Sequence, residues 1–314
     1  MSSYRIALIV LVLACGGCAT TVPLPQVQLV GKAFQDLNSA SAPLLDDLSI
    51  AERARGIKNA DTLARLHPAD NAAQPTPLDP CPKISQVKAE GVAVQNGFCI
   101  EHSQYYSELT DPPATAAFRS ALAAVEGYTN VLLILAEGRN LEAAQAQVQG
   151  LVANVGSLVD IAKPGVGTAL AGLSAALKPV LDIAAKSANS KELARIVKTG
   201  APDAQRVIKE LRDAAPEMFT TLTERSLSTL NSLKAPPSAE TAKAEAARIN
   251  AYRVAVSNYV VLLGQYQQLL DQLVDSYDSE GKVITLNGLL QRSTELSAQA
   301  DAWRRTYSAL RMGL

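Results

Sequence analysis

The sequence predicts an all-α fold: an elongated antiparallel helical bundle with long, coiled-coil-like helices. One irregular insert, closed by a disulfide, is expected to interrupt the bundle. Hydrophobic residues make up 48 % of the 314 positions and aromatic residues only 4 %. Ala and Leu dominate the apolar set, and both lose little side-chain freedom in a helix. Apolar residues recur at alternating spacings of three and four, as on one face of a helix. No stretch alternates convincingly with period two, which argues against a sheet.

The first predicted helix carries an apolar seam and ends near Leu66, where Pro68 closes it. Pro43 lies inside this seam, and an interior proline removes a backbone donor and crowds the preceding turn. We therefore expect the helix to kink or break near Ala42. The seam consists of Val30, Phe34, Leu37, Ser41, Leu44, Leu48 and Ala51.

Residues 68–110 are predicted to form an irregular insert between helices, because five prolines crowd residues 68–82 and Gly91 and Gly97 follow. The next helix is predicted to start at Asp111-Pro112-Pro113. An aspartate can cap the free amides, and proline is tolerated in the first turn. Unbroken, that helix would approach 50 residues, or ~75 Å. Its seam is Phe118, Leu122, Val125, Thr129, Leu132 and Ala136, then Ala144, Val148, Leu151, Val155, Leu158 and Ala162.

Residues 164–177 carry no charge and are flanked by Lys163 and Lys178. One interpretation is a helical hairpin of small residues, since Gly, Ala and Ser let helices approach closely. The other is a membrane-seeking tip, by architectural analogy with long-helix pore-forming toxins. Fourteen residues are too few to span a bilayer as one helix.

A short helix is predicted near Lys191 to Lys198, ending at Gly200-Ala201-Pro202. The next seam runs from Ala204 to Leu222 and includes Ile208, Leu211, Ala215 and Met218, with a kink expected at Pro216. Pro236-Pro237 marks a break, and Ser238 is a good N-cap for the following helix.

The last two helices have the most regular seams, and the short polar turn at 278–282 predicts that they form an antiparallel hairpin. Four tyrosines of the first helix are expected to pack in the core with their hydroxyls reaching its rim. We find no domain-sized shift in composition, so residues 26–314 are expected to form one domain. The seams are Ile249, Tyr252, Val256, Tyr259, Leu263, Tyr266, Leu270, Leu273 and Tyr277, then Leu286, Leu289, Ser293, Leu296, Ala300, Trp303, Tyr307 and Leu310.

The N-terminus has the three parts of a secretory signal. Arg5 supplies one positive charge, residues 6–14 are uninterruptedly apolar, and cysteines follow at 15 and 18. A small residue before a cysteine at the end of such a segment resembles the bacterial lipobox. The resemblance implies a signal peptide within residues 1–17 that is cleaved before an acylated cysteine, followed by a tether over 18–25. We favour Cys15, which follows Ala14, while Cys18 allows a more ordinary signal length.

Acylation would attach the chain to a membrane, because several acyl chains exceed the single-chain threshold for stable anchoring. The residue after either cysteine is Gly16 or Ala19. Neither is the aspartate that usually retains such lipoproteins in the inner membrane, so the resemblance implies the outer membrane, facing the periplasm.

Cys81 and Cys99 are the two cysteines outside the signal region, and an even pair in an exported chain predicts a disulfide. The alternative is a zinc site in which His67 and His102 join both cysteines. We disfavour zinc because the spacing is loose and no Cys-x-x-Cys pair occurs, and we expect no metal.

The charge balance and the absence of known motifs argue against several classes of function. Lys and Arg number 29 against 30 Asp and Glu, which gives no electrostatic case for nucleic acid. No nucleophile, base and orienting group fall in a recognisable frame, and no cofactor motif occurs. We therefore expect a non-enzymatic envelope protein that acts as a scaffold or interaction module for an unidentified envelope protein. The alternative is a membrane-perturbing protein that acts through residues 164–177.

Overall fold

The computed structural model describes residues 24–66, 86–89, 92–95, 100–137, 141–158, 175, 190–232, 236–278 and 286–313. Helices dominate these residues, which confirms the all-α class. The helices are α1 (Leu24–Leu66), α2 (Ser103–Tyr106), α3 (Pro113–Glu137), α4 (Leu141–Leu158), α5 (Ser190–Asp213), α6 (Ala215–Leu230), α7 (Ala239–Asp278) and α8 (Leu286–Gly313). A 3₁₀ turn over Ile100–His102 precedes α2.

The insert contains a β-hairpin that the sequence reasoning missed. Strand β1 (Gln86–Ala89) pairs antiparallel with β2 (Val92–Gln95), and Ala89 lies opposite Val92. Only Glu90 and Gly91 separate the strands in sequence, and a two-residue connection containing glycine is a hairpin signal. The five prolines that precede the hairpin in sequence favour an irregular segment.

Helix α1 runs through Pro43 without interruption, so the predicted break near Ala42 is wrong. A proline in a helix interior costs about 3 kcal/mol. However, Phe34 and Leu37 on one side and Leu44 and Leu48 on the other are all buried. Each such side chain contributes about 1.5–3 kcal/mol on burial, so a continuous stripe outweighs the local penalty.

The direction of each helix relative to α1 follows from its side-chain contacts. Helix α3 is antiparallel to α1, since Asn38 bonds Glu126 at 2.9 Å while Arg119 bonds Asp46 at 2.6 Å. Helix α8 runs parallel to α1 and meets Asp47 through Tyr307 near its C-terminal end. We call the end where α1 and α8 begin the basal end and the opposite end, where α3 begins, the distal end.

Helices α7 and α8 run antiparallel and both pack on α1. Gln265 of α7 bonds Gln299 of α8 at 2.9 Å, and the rings of Tyr259 and Trp303 lie 6.4 Å apart. Helix α8 touches α1 along its length as well as α7. The α7 seam therefore belongs to a core shared by several helices. At the start of α7, the Thr241 amide donates to Ser238 Oγ at 3.1 Å, which confirms the predicted N-cap.

Helix α5 continues from Ser190 to Asp213, so the helix end predicted at Gly200-Ala201-Pro202 is wrong. Gly200 is instead a packing position, because a Cβ there would lie 2.5 Å from Cε2 of Tyr128 on α3. The chain turns at Ala214, and Pro216 lies in the first turn of α6. The interruption expected at Pro216 is therefore present two residues earlier.

The helix predicted after Asp111 is not continuous over nearly 50 residues, because α3 ends at Glu137 and α4 begins at Leu141 and packs against it. The α3 seam itself is buried. Of the helices that the structure describes, only α3 is long and apolar enough to cross a membrane, yet 61 % of its most apolar window is buried inside the protein. A helix buried in the core of a globular protein can have the same apolar composition.

Candidate functional site

The sites predicted from sequence lie mostly outside the described residues. This holds for Cys15 and Cys18, for Cys81 and Cys99, for His67 and for residues 164–177 apart from Ala175. His102 is described and half-buried in the 3₁₀ turn. Within the described ranges, no three His, Cys, Asp or Glu side chains lie close enough to hold a metal ion.

Tyr259, Tyr266 and Tyr277 of α7 pack in or against the core as predicted, but their hydroxyls do not reach its rim, whereas Tyr252 is only half-buried. The Oη atoms of Tyr259, Tyr266 and Tyr277 are buried and have no hydrogen-bond partner among the described residues. Burial raises the pKa of all three phenols, so they stay neutral. The ring of Phe34 lies 4.8 Å from that of Tyr266. Tyr259, Tyr266 and Tyr277 therefore contribute apolar packing.

The start of α3 is capped by a side chain of another helix. Glu52 of α1 accepts the Ala114 amide at 2.8 Å and the Thr115 amide at 2.9 Å, and it also accepts the Thr115 hydroxyl. The negative carboxylate lies where the helix dipole is positive. Asp111, the predicted cap, instead pairs with Arg119 at 2.9 Å. Glu52 is 9 % exposed, so this charge is held inside the protein.

A cavity of about 430 Å³ lies beside Glu52, and we call it the inner pocket. It opens where α1, the start of α3 and the α5–α6 junction meet. Its apolar wall includes Leu48, Pro113, Ala114, Ala117, Phe118, Leu211, Ala214 and Met218. Its polar lining is Glu52, Arg55, Asn59, Glu210, Glu217 and Thr221.

Tyr105 of α2 forms the remaining wall of the inner pocket. Its ring lies directly against Gly56 of α1, where an added Cβ would overlap the ring carbons. Thr110, further along the same segment, accepts a bond from Arg53 Nη2 at 2.5 Å. The end of the insert is thus fastened to α1, and the glycine at 56 makes that close approach possible.

A second cavity of about 630 Å³, the basic cleft, adjoins the inner pocket. Arg55 and Thr221 line both cavities, and the Arg55 guanidinium donates to Thr221 Oγ1 at 3.4 Å between them. The basic cleft lies among α1, α6, α7 and α8. Its cations are Arg55, Lys58, Arg225, Arg248 and Arg311, and its carboxylates are Asp47 and Glu224.

Ion pairs neutralise part of this charge. Glu224 lies 3.3 Å from Arg55 and 3.5 Å from Lys58. Asp46 and Glu245 pair with Arg311 and Arg248 from the edge of the cleft. With both included, five cations meet four carboxylates, and Arg225 is the one cation of the five without an ion pair among the described residues.

Asp47 lies at the floor of the basic cleft and is held by two donors. Tyr307 Oη donates at 2.6 Å, and Arg311 Nε lies 2.8 Å away. Burial raises the pKa of Asp47, although Tyr307 and the Arg311 charge oppose this effect. Burial together with Asp47 raises the pKa of Tyr307, so the phenol keeps its proton. The trio fixes α8 to α1 and orients Arg311.

Several large apolar side chains are exposed near these cavities. Ile50, in the wall of the basic cleft, is 63 % exposed. Leu109, which precedes the Arg53-bound Thr110, is 94 % exposed, and Ile100 and Tyr106 are also exposed. An apolar side chain exposed in the wall of a charged cleft, as Ile50 is, can serve as an anchor for a protein partner.

Sequence reasoning overlooked both cavities because their residues come from separate helices. Two signals in α1 were available. Glu52 follows the seam residue Leu48 by four positions, which places a charge on the buried face. Gly56 follows four residues later on that face, where glycine weakens a helix unless a close contact requires it.

The two cavities differ in the groups that they present. The basic cleft presents cations and an exposed apolar side chain, while the inner pocket presents apolar walls with carboxylates. Among the hydroxyl groups that line them, Ser226 Oγ donates to Glu245 Oε2 at 2.6 Å, and Thr221 Oγ1 accepts from Arg55 at 3.4 Å. No protein-family model, curated protein or solved structure matches this chain.

Proposed function

We propose that the protein is a non-enzymatic, lipid-anchored envelope protein that binds another envelope protein through its distal end. The observation that carries this proposal is the basic cleft, whose lining combines the exposed side chain of Ile50 with five cations, of which Arg225 forms no ion pair among the described residues. Charged rims around apolar anchors are the usual anatomy of protein interfaces.

The anchor and the cleft lie at opposite ends of the fold in this proposal. Acylation at Cys15 or Cys18 would attach the basal end to the outer membrane through the tether that precedes α1. At about 1.5 Å per residue, α1 rises about 40 Å from Leu24 to Ile50. The cleft would therefore be presented to the periplasm well away from the lipid surface.

The proposed Cys81–Cys99 disulfide would stabilise the insert at the distal end. The last part of the insert contacts α1 through Tyr105 at Gly56 and through Thr110 at Arg53. A disulfide that closes a loop of this length contributes about 3 kcal/mol in the chain-entropy model. It would keep Ile100 and Leu109 in a fixed exposed position beside the cavities.

The partner that fits this surface carries carboxylates around an apolar side chain. Arg225 has no ion-pair partner among the described residues, and it can meet an acidic group without breaking a pair. Ile50 needs an apolar partner to be covered, which a purely anionic sugar or phosphate polymer does not supply. These features favour an acidic protein surface.

The proposal is tested by photo-crosslinking in intact cells. A photoreactive residue replaces Ile50 at the distal end or, as the matched control, Leu290, which is 47 % exposed near the start of α8. We expect a discrete protein adduct from position 50 and none from position 290. Mass spectrometry of the mature N-terminus tests the acylated cysteine in the same preparation.

Two results would overturn the proposal. Adducts with lipid alone at position 50 would favour the membrane-perturbing function of residues 164–177. The same protein adduct from positions 50 and 290 would show that the distal end is not the binding surface.

A further inference from the structure

The inner pocket has the dimensions and lining of a small-molecule site. Its volume of about 430 Å³ falls within the range of roughly 300–1,000 Å³ that is typical of ligand pockets. Side chains of five helices enclose it, and most of the wall is apolar. A few polar groups converge on one side, as in sites that fix the orientation of a ligand.

The charged residues in the lining of the inner pocket indicate which ligand charge it would favour. Glu52, Glu210 and Glu217 line it together with one lining cation, Arg55. Glu217 already has a partner, whereas Glu52 and Glu210 form no ion pair among the described residues. The Arg55 guanidinium lies 3.3 Å from Glu224 and also donates to Thr221, so its charge is already matched. The remaining potential in the pocket is negative, and a partly buried negative potential attracts a cation.

Glu52 supplies a fixed acceptor at the apolar end of the pocket. Its Oε2 takes two bonds from Thr115, whereas its Oε1 takes only the Ala114 amide. A carboxylate oxygen can accept two hydrogen bonds, so Oε1 keeps one acceptor position. The two α3 amides, one on each oxygen, hold the carboxylate in place, so a bound donor would not have to order it.

We propose that the inner pocket binds a small organic amine with an apolar body. The apolar part would lie against Phe118, Leu211 and Met218, and the ammonium group would meet the carboxylates. Binding is separate from the protein partner of the basic cleft, since a different cavity and the opposite charge are involved.

Tyr105 provides the means to test this proposal without touching the ligand groups. Replacing Gly56 with alanine would place a Cβ within the Tyr105 ring, so the ring must leave its position and the pocket loses a wall. Gly31 lies in the same helix, and a Cβ there meets nothing within 4 Å. Gly31→Ala is therefore a matched control for the effect of alanine on α1.

The experiment is a fluorescence titration of the full chain in nanodiscs of zwitterionic lipid, with empty nanodiscs as the blank. The probes are dansylcadaverine, a cationic amine, and N-dansyl-6-aminohexanoic acid, which carries the same fluorophore and a carboxylate. We expect saturable binding of the amine, at least tenfold tighter than that of the acid. Gly56→Ala should weaken amine binding at least tenfold, and Gly31→Ala should leave it unchanged.

Glu210→Gln keeps the test decisive if Gly56→Ala disturbs folding. It removes one lining charge and should reduce the preference for the amine over the acid severalfold. Equal affinity for the two probes, or no saturable amine binding to protein whose circular dichroism is native, would overturn the proposal. So would an amine affinity that is the same in the wild type and in a folded Gly56→Ala variant.

Discussion

The basal and distal halves of α1 are built differently although they belong to one helix. In the basal half, Val27, Val30, Phe34 and Leu37 are at most 1 % exposed. In the distal half, the polar residues Ser49 and Glu52 are buried beside Leu48, and Ile50 is exposed. Both cavities border the distal half and none of their lining residues precedes Asp47 in α1. The basal half of α1 therefore supplies packing, whereas the distal half supplies the lining of the two cavities.

The buried polar groups of the α7 tyrosines also differ from those in the distal half of α1 in their hydrogen bonding. Tyr259 and Tyr266 bury hydroxyls with no partner among the described residues, so their contribution comes from ring packing. Glu52 and Asp47 instead each receive several donors. A buried hydroxyl without a partner costs about 1–3 kcal/mol. The burial of the tyrosine ring has to offset that cost.

The largest effect is expected from Leu270→Ala, which removes a fully buried side chain of the basal core. It should lower the free energy of unfolding by about 2–5 kcal/mol in denaturant titration. The control is Gln268→Ala, an exposed position. Gln267 is unsuitable because it bonds both Gln205 and Arg212. Equal losses in both variants would contradict the packing role of this half.

A smaller loss, about 1–3 kcal/mol, is expected from Gly200→Ala, because the added methyl group overlaps the buried ring of Tyr128. Gly31→Ala should instead raise stability by up to about 1 kcal/mol, since alanine favours a helix and nothing lies near. Thermal unfolding followed by circular dichroism compares the two. Stabilisation by both would mean that α3 and α5 do not approach closely at Gly200.

In the distal half, Glu52→Ala should cost about 1–3 kcal/mol, because the Thr115 hydroxyl and two amides lose their acceptor. Asp111→Ala should cost under about 1 kcal/mol, because it removes only a partly exposed ion pair. The comparison tests whether Glu52, as in the structure, or Asp111, as predicted from the sequence, caps α3. A larger loss from the Asp111 variant would reverse the assignment.

The smallest effect concerns two aspartates of α1 with opposite pKa shifts. Burial raises the pKa of Asp47 above its ordinary 3.8. For Asp36, burial acts in the same direction, but bonds from Lys32 and Ser297 and the charges of Lys32 and Arg304 outweigh it and lower the pKa. NMR titration of the carboxyl carbons should find Asp36 below 3.8 and Asp47 above it.

The two shifts also affect stability in opposite directions. The stabilisation from Asp36 is present above pH 3.8 and is lost as the pH falls through its folded pKa. The contribution of Asp47 becomes unfavourable as the pH rises from 3.8 through its folded pKa. Asp36→Asn should therefore flatten the loss of stability in acid, and Asp47→Asn should not. The same response from both would contradict these environments.

The sequence predicted the helical class and most buried positions because a repeating apolar face is a local property. It failed where a distant contact decides the outcome. Pro43 and Gly200 resemble helix ends, but burial against other helices keeps both inside continuous helices. The acceptor role of Glu52 depends on amides 62 and 63 residues away, which no spacing in the sequence indicates.

The central claim is that the distal end, through the basic cleft, binds a protein partner. The most direct test repeats the crosslink from position 50 in two charge-reversal backgrounds. Arg225→Glu changes the lining of the cleft, whereas Arg305→Glu changes an exposed arginine of α8 outside it. We predict that Arg225→Glu lowers the yield of the protein adduct severalfold while Arg305→Glu leaves it unchanged. Equal yields in the two backgrounds would contradict the claim.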